Sequence, residues 1–192
     1  MLAQAESTAS QDIALPQALA LALFYLGIWA VIGRYHGLQH DAQIYVVQAL
    51  ALLRPDVYAG DLYLKFGSQD QFTLFSNFCA PWIDAFGVDH GAAALTFGFL
   101  ALWTWAAWLL VKHLAGARDA WLATGLLLVL PGWYGAGRVF ELAELFLSAR
   151  LPAQGLSLLA IVAAVRGVRW LAIVLLVAAL VTHPLMALPV II

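Results

Sequence analysis

The residues best suited to chemistry in this chain are a few polar side chains set into apolar sequence. In DAQIYVVQALALL, Asp41, Tyr45 and Gln48 fall at i, i+4 and i+7 and form one narrow stripe on a helix otherwise covered by Ile44, Val46, Val47, Leu50 and Leu53. A helix so apolar around so thin a stripe packs on protein or lipid and turns the stripe toward a cavity. Asp41 is the candidate catalytic residue of that stripe, with Tyr45 and Gln48 as candidate substrate contacts. Asp41 also fits the competing role of helix N-cap, which Asp fills well. A second group is Ser68-Gln69-Asp70-Gln71, a capping-box pattern that opens a helix and presents Asp70 as a further substrate contact. A third lies in GRVFELAELFLSARLPAQG, where a helical reading sets Glu141, Glu144 and Ser148 on one face, flanked by Arg138 and Arg150. The forked donors of arginine suit a phosphate. The competing reading is Glu–Arg pairing that stabilises the connection, because carboxylates at a bilayer edge are costly unless paired.

Other chemistries find no support. The sequence has no zinc-type Cys/His spacing, P-loop, GxSxG or dinucleotide fingerprint, and it calls for no metal or cofactor. His36 and His40 are four apart, but Gly37 between them weakens the helix that would align them. The lone Cys79 excludes an intramolecular disulfide and reads as a small apolar filler. His183, before Pro184, is a candidate polar contact inside the bilayer, satisfied locally by a carbonyl that the proline frees. A net charge of -2 offers no basic surface for nucleic acid.

The elements that must position these residues are membrane helices. Of 192 residues, 64% are hydrophobic and 10% charged, with a mean hydropathy of +0.89, whereas soluble domains carry about 25% charged residues. The expected architecture is an all-α polytopic transmembrane helix bundle with about five spans. Residues 15–33 form span 1, 92–111 span 2, 120–134 span 3, 155–165 span 4 and 171–192 span 5. The Pro131-Gly132 pair shortens or kinks span 3. Residues 34–91 form a long first loop holding six of the eleven acids, Asp41, Asp56, Asp61, Asp70, Asp84 and Asp89, against Arg34, Arg54 and Lys65. Within it, Ser68 to Phe86 reads as an interfacial helix, kinked or ended by Pro81. Phe72, Phe75, Cys79, Trp82 and Phe86 share one of its faces, and Gln69, Asp70, Thr73, Ser76, Asn77 and Asp84 the other.

Lys112 with Arg118, and Arg166 with Arg169, crowd two very short turns. By the positive-inside rule these turns and the N-terminus are cytoplasmic, while the loops 34–91 and 135–154 are extracytoplasmic. The chain stops inside an apolar run, THPLMALPVII, and reads as the N-terminal part of a larger protein.

One span, a long outer loop with an early Asp and interfacial helices, then tightly connected spans resemble the start of the GT-C superfamily of polytopic glycosyltransferases. HDAQIYVVQAL, DLYLKFGSQDQFTLFS and the His-Pro of THPLMALP are similar to bacterial membrane proteins of that type. The resemblance implies transfer of a sugar from a polyprenyl-phosphate-linked donor at the extracytoplasmic surface of the inner membrane. Asp41 would be the carboxylate that acts as base or positions the acceptor. Many members carry two adjacent acids there, whereas here His40 precedes Asp41. The partners implied are the lipid bilayer and a lipid-linked sugar donor. The competing class is a non-enzymatic transporter or assembly subunit, for which His183 and the Pro131-Gly132 break speak; a third is an enzyme descendant without activity.

Overall fold

A computed structural model describes residues 34–130, 132–134 and 140–191, together with the isolated positions 20, 23 and 27. The first span, 15–33, and Arg138 therefore lie outside the described residues, apart from those isolated positions. The described chain is all-helical except for one two-residue strand pair. Its helices are α1 (Asp41–Leu53), α2 (Pro55–Tyr58), α3 (Leu62–Phe66), α4 (Phe75–Phe86), α5 (Val88–Ala115), α6 (Ala117–Val129), α7 (Arg150–Val165), α8 (Arg169–Thr182) and α9 (Pro184–Ile191), with a 3-10 turn at Gln69–Gln71. The strands β1 (Trp133–Tyr134) and β2 (Phe140–Glu141) pair antiparallel, Trp133 opposite Glu141.

Among the described residues only α5, with 28 residues and a mean hydropathy of 1.8 over its most apolar window, is long and apolar enough to cross a membrane. The helices α6, α7 and α8 have 13, 16 and 14 residues, hence lengths of about 20 to 24 Å at ~1.5 Å per residue. A hydrocarbon core is about 30 Å thick. The structure thus shows the helical class but not five full spans.

Two clusters stack along α5. At its start, Ala92 and Leu95 join Ala42, Tyr45, Val46 and Ala49 of α1, Phe75, Cys79 and Ile83 of α4, and Phe146, Leu147 and Ala149 of the connection before α7. One to two turns further, Leu100 and Trp103 pack on Leu151, and Gly155 lies so close to the Trp103 backbone that an added Cβ would stand 3.3 Å from it. Positions on α5 and at the start of α7 rise together, so these helices run parallel. The turns at Gly116 and Gly167, which take positive φ, then fall at one end of the bundle. That end carries Lys112, Arg118, Arg166 and Arg169. Lys112 sits over the Trp108 ring, 5.0 Å from its centroid, and Trp108 meets Trp121 at 5.7 Å.

Several boundaries differ from those the sequence suggests. Ser68 to Phe86 is not one helix: the Ser68 hydroxyl caps only the short 3-10 turn, and α4 starts afresh at Phe75. Pro81 lies inside α4 without ending it, because Pro removes one N–H but its neighbours keep the ladder. Phe75, Ser76, Cys79, Ala80 and Ile83 face inward together, so the expected division into an aromatic and a polar face is replaced by a buried face that mixes both. The helix expected over Glu141 to Ser148 is absent; Glu141 pairs in β2 and the following residues form an irregular connection up to α7. The helices expected over 92–111 and 155–165 begin earlier, at Val88 and Arg150; the one expected over 120–134 ends at Val129, and the one expected over 171–192 is broken at His183.

Candidate functional site

At the end of the bundle opposite the basic turns, three elements converge on one ion cluster. His36 N–H donates to the Leu145 carbonyl at 2.9 Å, and the His40 ring lies 5.6 Å from Phe146. These contacts fasten the strand of chain before α1 onto the connection before α7. Asp41, the first residue of α1, is thereby brought to Arg150, the first residue of α7, across 109 positions of sequence. Arg150 Nη1 donates to Asp41 Oδ2 at 2.5 Å. Its Nε and Nη2 donate to Glu144 Oε1 at 2.8 and 2.7 Å.

The two carboxylates live in different surroundings. The Glu144 side chain is 2% exposed and that of Arg150 8%, whereas the Asp41 side chain is 38% exposed. Arg150 is therefore a buried bridge whose forked donors join a sealed acid to an open one. Burial pushes the Glu144 carboxyl above its ordinary range, and Arg150 and the Ser148 hydroxyl pull it back only in part. Among the described residues no hydrogen-bond donor meets the buried Glu144 Oε2 in good geometry. The cap reading of Asp41 is not what the structure shows: the N-cap of α1 is His40, with φ 48°, and no side chain caps the helix.

The remaining stripe residues are buried. Tyr45 packs edge-on against Phe75 with ring centroids 4.8 Å apart, and burial first, then the Asp41 carboxylate, raises its phenol well above the ordinary value. Gln48 donates to the Ser68 hydroxyl at 3.0 Å, and the single Ser76 hydroxyl proton is shared between Gln48 Oε1, at 3.3 Å, and the closer Asp70 Oδ1. Gln48 and Asp70 thus hold the loop against α1 and α4. Tyr63 is raised by burial and then by the charges of Asp70 and Asp41. His183, at the break between α8 and α9, lies within electrostatic reach of Arg150 and Asp41, and its buried Nδ1 has no partner among the described residues.

Of the candidates, Asp41, Glu144 and Arg150 form one constellation; Tyr45 lines it, and Gln48 and Asp70 belong to an adjoining polar clasp. Glu141 stands apart in β2. The Arg150 guanidinium is engaged by two carboxylates, which is the Glu–Arg pairing weighed against the phosphate contact. Ser68, Ser76, Tyr63 and His183 enter the neighbourhood without having been singled out for it. Ser76 was legible: with Cys79, Ala80 and Ile83 it makes an i, i+3, i+4, i+7 row of small or aliphatic residues, the mark of a packed helix face. No family model, curated protein or solved structure matches the chain.

Proposed function

We propose that the protein is a polytopic membrane glycosyltransferase of GT-C type that transfers a sugar from a polyprenyl-phosphate-linked donor at the extracytoplasmic membrane surface. The observation that carries this reading is the Asp41–Arg150–Glu144 constellation: a half-open carboxylate aimed by a guanidinium that a sealed carboxylate holds. Arg150 holds Asp41 by its Oδ2 and leaves its Oδ1 with no donor among the described residues. That oxygen is the one to accept the proton of an acceptor hydroxyl, a contribution of about 10² to 10⁴ in rate. The cluster stands at the far ends of α6, α7 and α8, about 20 to 24 Å from the basic turns. In the five-span topology with those turns in the cytoplasm, the cluster faces the outer leaflet, the side on which the proposed donor presents its phosphate. Arg150 and Glu144 act as positioning residues in this reading, not as phosphate ligands.

The test is Asp41→Asn in the full-length protein, reconstituted in nanodiscs and given radiolabelled hexoses on polyprenyl phosphate. Transfer should fall by the factor above while expression and folding persist, since a pair with one exposed partner contributes about 0 to 1 kcal/mol. Transfer at the parent rate would sink the assignment.

A second reading, a transporter, is favoured by one observation: the helix break at His183-Pro184 beside the ion cluster, since transporters bind substrates at interrupted helices. Substrate uptake by vesicles that Asp41→Asn abolishes, with no sugar transferred, would select it.

A further inference from the structure

Near the basic end of the bundle, the Trp108 indole Nε1 and the Thr124 Oγ1 are buried with no hydrogen-bond partner among the described residues. Thr124 is only 4% exposed, so water does not serve it from outside. Other helical threonines of this chain solve the problem locally: Thr96 donates to the Ala92 carbonyl at 2.8 Å and Thr182 to that of Ala178 at 2.7 Å. Thr124 makes no such bond. The hairpin brings its hydroxyl to the indole. Only Gly116, with φ 93°, separates α5 from α6, so the two helices return side by side, and Trp108 and Thr124, equally far from Gly116 in sequence, come level. Trp121 meets the Trp108 ring at 5.7 Å, and Thr124 follows Trp121 at i+3 on the same face of α6. Lys112, at i+4 from Trp108, folds its ammonium back over that ring, 5.0 Å from the centroid.

The chemistry of this niche is one-sided. An indole N–H and an ammonium only donate, and a threonine hydroxyl can donate, so the group that fits among them is an acceptor, and the ammonium selects a negative one. Donors carried by three side chains suit the separate oxygens of a phosphate. Arg118, exposed on the first turn of α6, adds positive charge at the mouth; Asp119, the one acid of α6, is exposed beside it. We infer that the α5–α6 hairpin binds a phosphate group between Lys112, Trp108 and Thr124. The 28 residues of α5 span about 42 Å at ~1.5 Å per residue, against about 30 Å of hydrocarbon. In the membrane reading Lys112 therefore stands in the headgroup layer and the paired indoles at its edge, where the phosphate of an anionic lipid is at hand. A free phosphate offers the same oxygens, and experiment separates the two sources. The site lies at the opposite end of the bundle from Asp41 and does not depend on sugar transfer.

The experiment uses the full chain in maltoside detergent, which carries no phosphate. It is titrated with dihexanoyl-phosphatidylglycerol, with inorganic phosphate and with uncharged dihexanoylglycerol, and the Trp108 signal is read as the difference between parent and Trp108→Phe fluorescence. A phosphate-bearing probe should change that signal saturably and raise the thermal midpoint, and dihexanoylglycerol should do neither. Lys112→Gln and Thr124→Val should each weaken binding several-fold, whereas Arg166→Gln, at the same end but outside the hairpin, should leave it unchanged. Where Thr124→Val does not fold, Thr124→Ser, which keeps the hydroxyl, should bind as the parent does, and Lys112→Gln carries the loss. Response to phosphatidylglycerol alone assigns the site to a lipid headgroup, and saturation by inorganic phosphate as well assigns it to phosphate from either source. No saturable change with either probe overturns the inference. So does an equal response to dihexanoylglycerol, or an equal loss in Lys112→Gln and Arg166→Gln, which would mean attraction to the basic end as a whole.

Discussion

At the scale of single residues, the site depends on a sealed acid. Removing one partner of a buried pair leaves the other uncompensated, at a cost of about 3 to 5 kcal/mol. Because Arg150 keeps its contact with Asp41, Glu144→Ala should destabilise the folded chain by up to that order, while Glu141→Ala, whose residue lies outside the cluster, should cost far less; chemical unfolding in detergent measures both. Glu144 also gives a signed pH dependence. Its carboxyl lies above the ordinary 4.5 in the folded chain because of burial, so between those two values the folded state binds the proton more tightly than the unfolded state. Its contribution is fully present below 4.5 and is lost as pH rises through the raised value. The thermal midpoint of the parent should fall across that window relative to Glu144→Gln, and parallel profiles would refute it. The ion cluster was half legible: Asp41, Glu144 and Arg150 stand out as charges in apolar sequence, but nothing local says that they meet. Their encounter spans 109 positions and depends on His36, Leu145 and Phe146 docking two irregular segments.

At the scale of elements, α5 organises the rest by what it lets approach. Gly91 and Gly98 occupy the same helix, yet a Cβ at Gly91 meets the Trp82 carbonyl at 2.8 Å and one at Gly98 meets nothing within 4 Å. Ala is favoured over Gly in a helix by about 0.8 to 1 kcal/mol, whereas forcing atoms into a packed contact costs typically 1 to 3 kcal/mol. Gly98→Ala should raise the midpoint of unfolding and Gly91→Ala should lower it. Two changes of the same sign would show that α4 does not press on α5. The polar clasp on the other side of α4 offers a second comparison. Ser76→Ala strands buried Gln48 of one partner and should cost about 1 to 3 kcal/mol, more than Asn77→Ala on the exposed edge. Hydrophobic periodicity located α1 and α5 and placed the turns at Gly116 and Gly167, but it merged Ser68–Phe86 into one helix. Loop and helix alike carry aromatic residues there, and only packing against α1 and α5 separates them.

At the scale of the whole molecule, the four cations of the short turns gather at one end and the ion cluster at the other. The topology proposed from this polarity puts Asn77 outside and Arg166 inside. In intact cells an impermeant thiol reagent should label Asn77→Cys from outside and leave Arg166→Cys unlabelled until the membrane is opened. External labelling of position 166 would reverse the orientation of every helix.

Composition and periodicity alone determined the helical class, the apolar character of the segments and the asymmetry of charge, because these follow from side-chain transfer energies and the 3.6-residue repeat, which act locally. The tertiary structure decided which acid is sealed and which is open, that Arg150 serves two carboxylates, and that the face of α4 bearing Ser76 and Cys79 turns inward while Phe78, Trp82 and Phe86 stay exposed. Those outcomes are set by long-range docking of irregular segments and by close backbone approach at Gly91 and Gly155, which no local pattern encodes.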